Sequence, residues 1–166
     1  MKNISPKLIA RLALFAAISL ILGKFLSFKM GDWGRVSLEN LTVILAGYLY
    51  GSLPGMLCGV VADIVGCMLY GYPINPIITV GAAMVGAYAG IFGMHGNFKV
   101  PRLYLSVAAA HIAGSLIVKS IGIHVFYSTP LDILILRLPI YIVTGVIEYI
   151  IISIMLKNRA LKELMQ

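Results

Sequence analysis

The sequence predicts an all-α integral membrane protein, a bundle of six transmembrane helices that forms one domain over residues 1–166. Composition is the first reason, because hydrophobic residues make up 60% of the chain and charged residues only 11%. Such values exclude an ordinary soluble domain. Length is the second reason, because 166 residues leave room for about six helical spans of ~20 residues with short loops.

Clusters of glycine and proline mark the joints between these spans. The predicted spans are, in chain order, Leu8–Phe28, Ser37–Tyr50, Leu53–Leu69, Pro76–Met94, Leu103–Ile121 and Ile133–Leu156. The second span is short, so we expect it to begin before Arg35, to tilt or to insert incompletely. No repeat relates the two halves of the chain, and an inverted-repeat transporter architecture is therefore not supported.

The basic residues predict the orientation of the bundle. Only three of them lie between the first two spans: Lys24, Lys29 and Arg35. Eight others lie at the N-terminus, in the loop after the fourth span and at the C-terminus: Lys2, Lys7, Arg11, Lys99, Arg102, Lys157, Arg159 and Lys162. The positive-inside rule then places both termini in the cytoplasm. The net charge of +7 thus reflects topology and contact with anionic lipid, and we expect no nucleic-acid partner.

Polar side chains are concentrated in an apolar stretch from Gly34 to Pro76. This stretch carries Arg35, Glu39, Asn40, Asp63 and Asn75. Polar groups at membrane depth are costly and usually face a partner, a cavity or a ligand. The cluster is therefore the first candidate for a functional site.

The three loops predicted to face outward add aromatic rings and one more cation to this cluster. A concave, mostly apolar site with a few polar groups is typical of small-molecule binding. The candidate ligand-binding residues are Trp33, Arg35, Glu39, Asn40, Asp63, Tyr72, Asn75, Phe126 and Arg137.

Structural interpretations of the same residues stay open. The aromatic rings could form the interfacial belt of a membrane protein. Arg35 and Glu39 are four residues apart and could pair with each other on one helix face. Asp63 could form a purely structural ion pair with Lys119 or Arg137, and this is as well supported as a ligand role.

Catalytic and metal sites are not predicted. His111 and Glu148 are interpreted as structural groups of the bundle interior, and His95 and His124 lack the spacing of metal ligands. No nucleophile–base spacing or carboxylate pair stands out, so we expect neither an enzyme nor a cofactor.

Small residues recur at four-residue spacing on several spans, and such rows let helices approach closely in lipid. Most of these rows are expected to pack within the bundle. Ala13 and Ala17 on the first span differ, because the N-terminal helix of a small bundle has a face free for another protein.

Three strings between Arg35 and Gly90 carry a family resemblance: RVSLENLTVILAGYLYGSLPG, GxxADIxGC and GYxINPIITxGAA. They resemble the substrate-binding S components of energy-coupling factor (ECF) vitamin transporters, and are most similar to the folate family. The resemblance implies a six-helix protein of the bacterial cell membrane that captures folate from outside with high affinity. It also implies a transmembrane coupling protein and two cytoplasmic ATPases as partners, with Ala13 and Ala17 contacting the coupling protein.

The candidate residues suit folate chemically. An acceptor such as Glu39 or Asp63 could bind the pterin amide and amino group together, with Asn40 or Asn75 completing the edge. Cations near water would suit the two carboxylates of the glutamate tail. The alternatives are an S component for another vitamin or precursor (hydroxymethylpyrimidine, pantothenate or riboflavin), and a structural membrane protein that transports nothing.

Overall fold

The computed structural model describes residues 5–29, 35–93 and 100–158. Its helices are α1 (Pro6–Phe25), α2 (Asn40–Tyr50), α3 (Ser52–Tyr70), α4 (Pro76–Ile91), α5 (Val100–Ala109), α6 (Lys119–Tyr127), α7 (Leu131–Ile135) and α8 (Arg137–Lys157). A π-helix, π1 (Ala110–Val118), joins α5 to α6 without a break. The protein is therefore predominantly helical, as the sequence predicts.

Four helical stretches are long and apolar enough to cross a membrane: Pro6–Phe25, Ser52–Tyr70, Val100–Tyr127 and Leu131–Lys157. The stretches Asn40–Tyr50 and Pro76–Ile91 are apolar but shorter. Within the described ranges the structure thus supports four spans by length and composition, and the count of six stays a prediction.

A short β-ribbon, which the all-α prediction lacks, follows α1. Strands β1 (Ser27–Lys29) and β2 (Arg35–Ser37) pair in antiparallel register, with Phe28 opposite Val36. The ribbon includes the last two residues of the first predicted span, Ser27 and Phe28, and the first residue of the second, Ser37. The first helix therefore ends at Phe25, and the second begins at Asn40.

Helix α2 lies at the centre of the bundle and packs against α1, α3 and α4. Every residue from position 40 to position 48 is buried, and Ile44 and Leu45 have no exposed surface. A helix that is apolar all round belongs in an interior. Helix α2 is therefore short but central, and its first turn lies inside the bundle.

Glycine permits a close crossing of α2, α3 and α4. A Cβ atom on Gly55 would lie 2.5 Å from Gly47 Cα and 2.5 Å from the carbonyl oxygen of Gly86. Both neighbours are backbone atoms, so they cannot rotate away. These backbones touch because no side chain separates them.

Gly55→Ala is therefore expected to lower the free energy of unfolding by about 3 kcal/mol through overpacking. The measurement is the apparent melting temperature of the purified protein in detergent. Gly66→Ala on the same helix is the control, because its Cβ would lie 3.0 Å from the movable end of Leu20. Equal melting temperatures for the two variants would contradict the packing argument.

Candidate functional site

A recess of about 520 Å³, counting the open space at its mouth, lies where the later turns of α1 and α3 meet the first turn of α2. We call it the polar recess. Its polar lining residues are Ser19, Glu39, Asn40, Asp63, Cys67, Tyr70, Tyr72 and Lys119. The other lining residues are small or aliphatic: Leu20, Gly23, Val43, Gly59, Ala62, Gly66 and Ala82. A concave site in which a few polar groups converge among small and aliphatic residues is typical of small-molecule binding.

An ion pair lies in the wall of the polar recess. Lys119 Nζ lies 3.6 Å from Glu39 Oε1, and the two side chains are 9% and 22% exposed. The same ammonium donates to Asn40 Oδ1 at 3.5 Å, and Asn40 Nδ2 donates to Ser115 Oγ at 3.4 Å. The buried ammonium of Lys119 thus has two acceptors at the start of α2, and the carboxylate of Glu39 still has access to the open space.

The backbone around Glu39 explains why its side chain fits here. Ser19 Oγ on α1 donates to the carbonyl oxygen of Glu39 at 2.6 Å. A Cβ on Gly23 would lie 3.1 Å from Glu39 Oε2, so a larger residue at that position would crowd the carboxylate. The second half of α1 therefore anchors the start of α2 and leaves room for its acidic side chain.

Asp63 supplies a second carboxylate to the polar recess. Thr79 Oγ1 on α4 donates to Asp63 Oδ2 at 2.6 Å. In the described part of the chain, Lys119 pairs with Glu39. Asp63 therefore has a hydroxyl partner in place of the Lys119 or Arg137 partner that the sequence suggested. This leaves a half-buried carboxylate oriented by one hydrogen bond.

Aromatic rings of α3 and the following loop contribute to the wall of the polar recess. Tyr70 OH donates to the carbonyl oxygen of Leu20 at 2.6 Å, and its ring makes an edge contact with Tyr72, with centroids 6.4 Å apart. Lys24 Nζ lies 5.3 Å from the centroid of Tyr70, within cation–π range. Two tyrosine rings thus line the recess, and an exposed ammonium lies beside one of them.

The structure brings together four of the nine ligand-binding residues predicted from sequence: Glu39, Asn40, Asp63 and Tyr72. Trp33 lies outside the described residues. Arg35 is described only as a backbone position of β2, opposite Lys29.

Three of the nine lie elsewhere in the structure. Asn75 is 2% exposed, and its side chain caps α4 and donates to the carbonyl oxygen of Gly122 at 3.0 Å. Phe126 is half exposed on α6. Arg137 is 4% exposed, and donates to Ser120 Oγ at 2.6 Å and to Tyr141 OH at 3.0 Å. None of the three lines the polar recess, and the proposal below does not use them.

Lys119, Tyr70 and Ser19 are recess residues that the sequence argument did not select. From the sequence, Lys119 was named only as a possible ion-pair partner of Asp63, although a lysine in the middle of an apolar span is rare and needs a partner. Tyr70 and Ser19 carry no such signal, since tyrosine near an interface and serine in a helix are both common in membrane proteins.

Comparison with known proteins identifies the family. The model of the substrate-specific component of ECF transporters matches residues 7–158. The chain belongs to this family. It is therefore a multi-pass membrane protein and the substrate-binding part of a transporter, and not an enzyme. No curated protein matches this S component.

The fold of this S component also matches a solved structure. FolT bound with folic acid superposes with a TM-score of 0.75, covering 88% of this chain and 90% of that one. The two sequences are 22% identical. The match thus establishes an S-component fold.

Proposed function

We propose that this S component captures folate, or a close pterin, outside the cell and delivers it through an ECF importer whose partner subunits hydrolyse ATP. One observation is the main support for folate as the ligand. The carboxylate of Glu39 and the ammonium of Lys119 lie 3.6 Å apart in the wall of one open recess.

The edge of a pterin matches that pair. Its 2-amino group and N3–H are adjacent donors, and its 4-oxo group beside them is an acceptor. A carboxylate accepts both donor hydrogens, and a neighbouring ammonium donates to the oxo group. Glu39 or Asp63 would take the first role and Lys119 the second, with Asn40 holding the lysine.

The other vitamins considered present different edges. The flavin ring of riboflavin has one N–H between two carbonyl groups, so it offers one donor where the carboxylate accepts two. Pantothenate has no aromatic ring to stack on Tyr72. Each unmatched group would leave a buried polar atom unpaired, which costs about 1–3 kcal/mol.

The remainder of folate suits the tyrosine side of the recess. The aromatic rings of the ligand would stack on Tyr72, and Trp33 remains a predicted contact outside the described residues. Lys24, exposed beside Tyr70, is placed to pair with a carboxylate of the glutamate tail, and Arg35 remains a second predicted cation. The likeness of the fold to FolT bound with folic acid supports the same assignment.

The proposed orientation puts both termini in the cytoplasm, as the distribution of basic residues predicts. The recess then faces outward, because it lies toward the ends of α1 and α3 that lead into the predicted outer loops. Folate would thus enter from outside without crossing the bundle.

The proposed partners are a transmembrane coupling protein and two cytoplasmic ATPases. Ala13 and Ala17 are exposed on α1, and Leu14 between them is 59% exposed. Two alanines four residues apart leave a shallow groove that another helix can enter. We propose that this face contacts the coupling protein.

A competition experiment tests the ligand. The purified protein is equilibrated with tritiated folate, and unlabelled compounds are added. Pteroate is expected to displace the label nearly as well as folate, because it retains the pterin edge, whereas riboflavin, pantothenate and hydroxymethylpyrimidine are not. Displacement by one of these three but not by pteroate would overturn the folate assignment and favour another vitamin.

A further inference from the structure

The π-helix in the stretch Val100–Tyr127 is a second unusual feature of this S component. Segment π1 covers Ala110–Val118, and the N–H of Lys119 donates to the carbonyl oxygen of Gly114, five residues earlier. π-Helices are rare, are mostly one turn long and often occur at functional sites. A nine-residue π-helix needs tertiary contacts that favour it over the α-helix.

Polar contacts hold both ends of π1, on two different neighbours. At its start, His111 Nε2 lies 2.6 Å from Glu148 Oε2 of α8, and both side chains are at most 5% exposed. At its end, Ser115 accepts from Asn40, and Lys119 reaches Asn40 and Glu39.

The winding of π1 decides whether both contacts can form together. An α-helix turns 100° per residue, and a helix closed by i→i+5 bonds turns roughly 80°. Lys119 follows His111 by eight residues. With His111 held in place, the direction of the Lys119 side chain therefore differs by about 150° between an α-helix and a π-helix. An α-helix with His111 on Glu148 would therefore direct Lys119 away from Glu39.

Glycines let π1 pass close to α4 on the way to the polar recess. A Cβ on Gly81 would lie 2.6 Å from Lys119 Cγ, and a Cβ on Gly114 would lie 2.6 Å from the carbonyl oxygen of Gly81. The stem of Lys119 therefore lies directly over Gly81. A side chain at position 81 would collide with the lysine in the observed register.

We propose that His111 and Glu148 are a positioning pair: their contact anchors the π-helical register and thereby directs Lys119 into the polar recess. Tyr141 supports the anchor, because its ring centroid lies 5.4 Å from that of His111 and its hydroxyl accepts from Arg137. The expected effect of this pair on folate binding rests on the proposed function. The expected direction of Lys119 is independent of that function, and it can be measured without any ligand.

Three variants separate positioning from folding. His111→Leu with Glu148→Leu replaces both partners by apolar side chains, which is often neutral for stability, whereas removing one partner leaves a buried charge. Glu148→Gln keeps an acceptor for the imidazole N–H. Thr144→Val is the matched control, because Thr144 is buried on α8 and its hydroxyl has no hydrogen-bond partner within the described residues.

The direction of position 119 is measured by cysteine labelling. Val118→Cys, Lys119→Cys and Ser120→Cys are made singly in a Cys67→Ser background, because Cys67 lines the recess. Each protein is treated with a water-soluble thiol reagent. The labelling rates at the three positions with the His111–Glu148 pair intact give the reference order, and we expect Glu148→Gln and Thr144→Val to keep this order.

The double leucine variant is expected to slow labelling at position 119 and to speed it at position 118 or 120. The expected slowing is about tenfold, because one hydrogen-bonded contact is lost. An unchanged order of rates would overturn the proposal. So would equal acceleration at all three positions, since that indicates lost folding and not a changed register.

A parallel measurement links the pair to ligand binding, using proteins with Lys119 intact. The double leucine variant is expected to bind folate about tenfold more weakly than the wild type, while Glu148→Gln and Thr144→Val bind normally. Wild-type protein that binds no folate would contradict the proposed function, and the labelling pattern would still decide the positioning role. Normal folate binding by the double variant would contradict that role.

Discussion

Lys119→Met is expected to weaken folate binding by two to three orders of magnitude. The substitution removes a charged donor to the 4-oxo group, and it leaves Glu39 without the cation that lies 3.6 Å away. A hydrogen bond to a charged group contributes about 1.5–3 kcal/mol, and loss of a cation beside a partly buried carboxylate adds a further cost. Methionine keeps most of the length of the side chain, so packing over Gly81 is retained.

The dissociation constants of folate and pteroate measure this effect. Lys24→Met is the matched control, because it also removes one ammonium but lies beside Tyr70 and not at the ion pair. We expect Lys24→Met to weaken folate by less than tenfold and pteroate not at all, since pteroate lacks the glutamate tail. Equal losses for the two lysine variants would refute the assignment of Lys119 to the pterin edge.

Ala17→Phe is expected to abolish folate uptake by cells while leaving folate binding by the isolated protein unchanged. A phenyl ring on the exposed face of α1 would fill the groove beside Ala13 and keep the helix of the coupling protein at a distance. The polar recess lies on a different face of α1, where Ser19 and Gly23 are buried. Ala17→Phe should therefore block docking of the coupling protein without changing folate binding.

Uptake of labelled folate by cells that express the full transporter is the measurement, with binding to the purified variant beside it. Ile154→Phe is the control, because Ile154 is 63% exposed on α8 and the change again adds a bulky apolar group. Normal uptake with Ile154→Phe is expected. Parallel loss of uptake and binding in Ala17→Phe would rule out a separate docking face.

The sequence predicts much of the helical framework, because long apolar stretches bounded by glycine and proline have few alternatives in a membrane. The helix from Ser52 to Tyr70 lies within one residue of the predicted third span at each end. The boundary between the first two spans was wrong. The segment Ser27–Lys29 has a composition that also occurs at the end of a helix. Here it forms strand β1, which pairs with β2.

The candidate site was predicted in part. Glu39, Asn40 and Asp63 stood out because charged and amide groups are costly in an apolar stretch. Asn75 belongs to the same stretch, but it caps α4, and composition does not distinguish a cap from a ligand contact. The contribution of Lys119 depends on the winding of π1, and hydrophobic periodicity does not reveal a change from α to π.

Calorimetric titration of folate into the purified S component, without its partner subunits, is the decisive test of folate binding. The proposed folate binding predicts saturable heat at one folate per protein, quenching of the single tryptophan, Trp33, and little heat in Lys119→Met. Absence of heat in the wild type, or equal heat in the wild type and Lys119→Met, would contradict it.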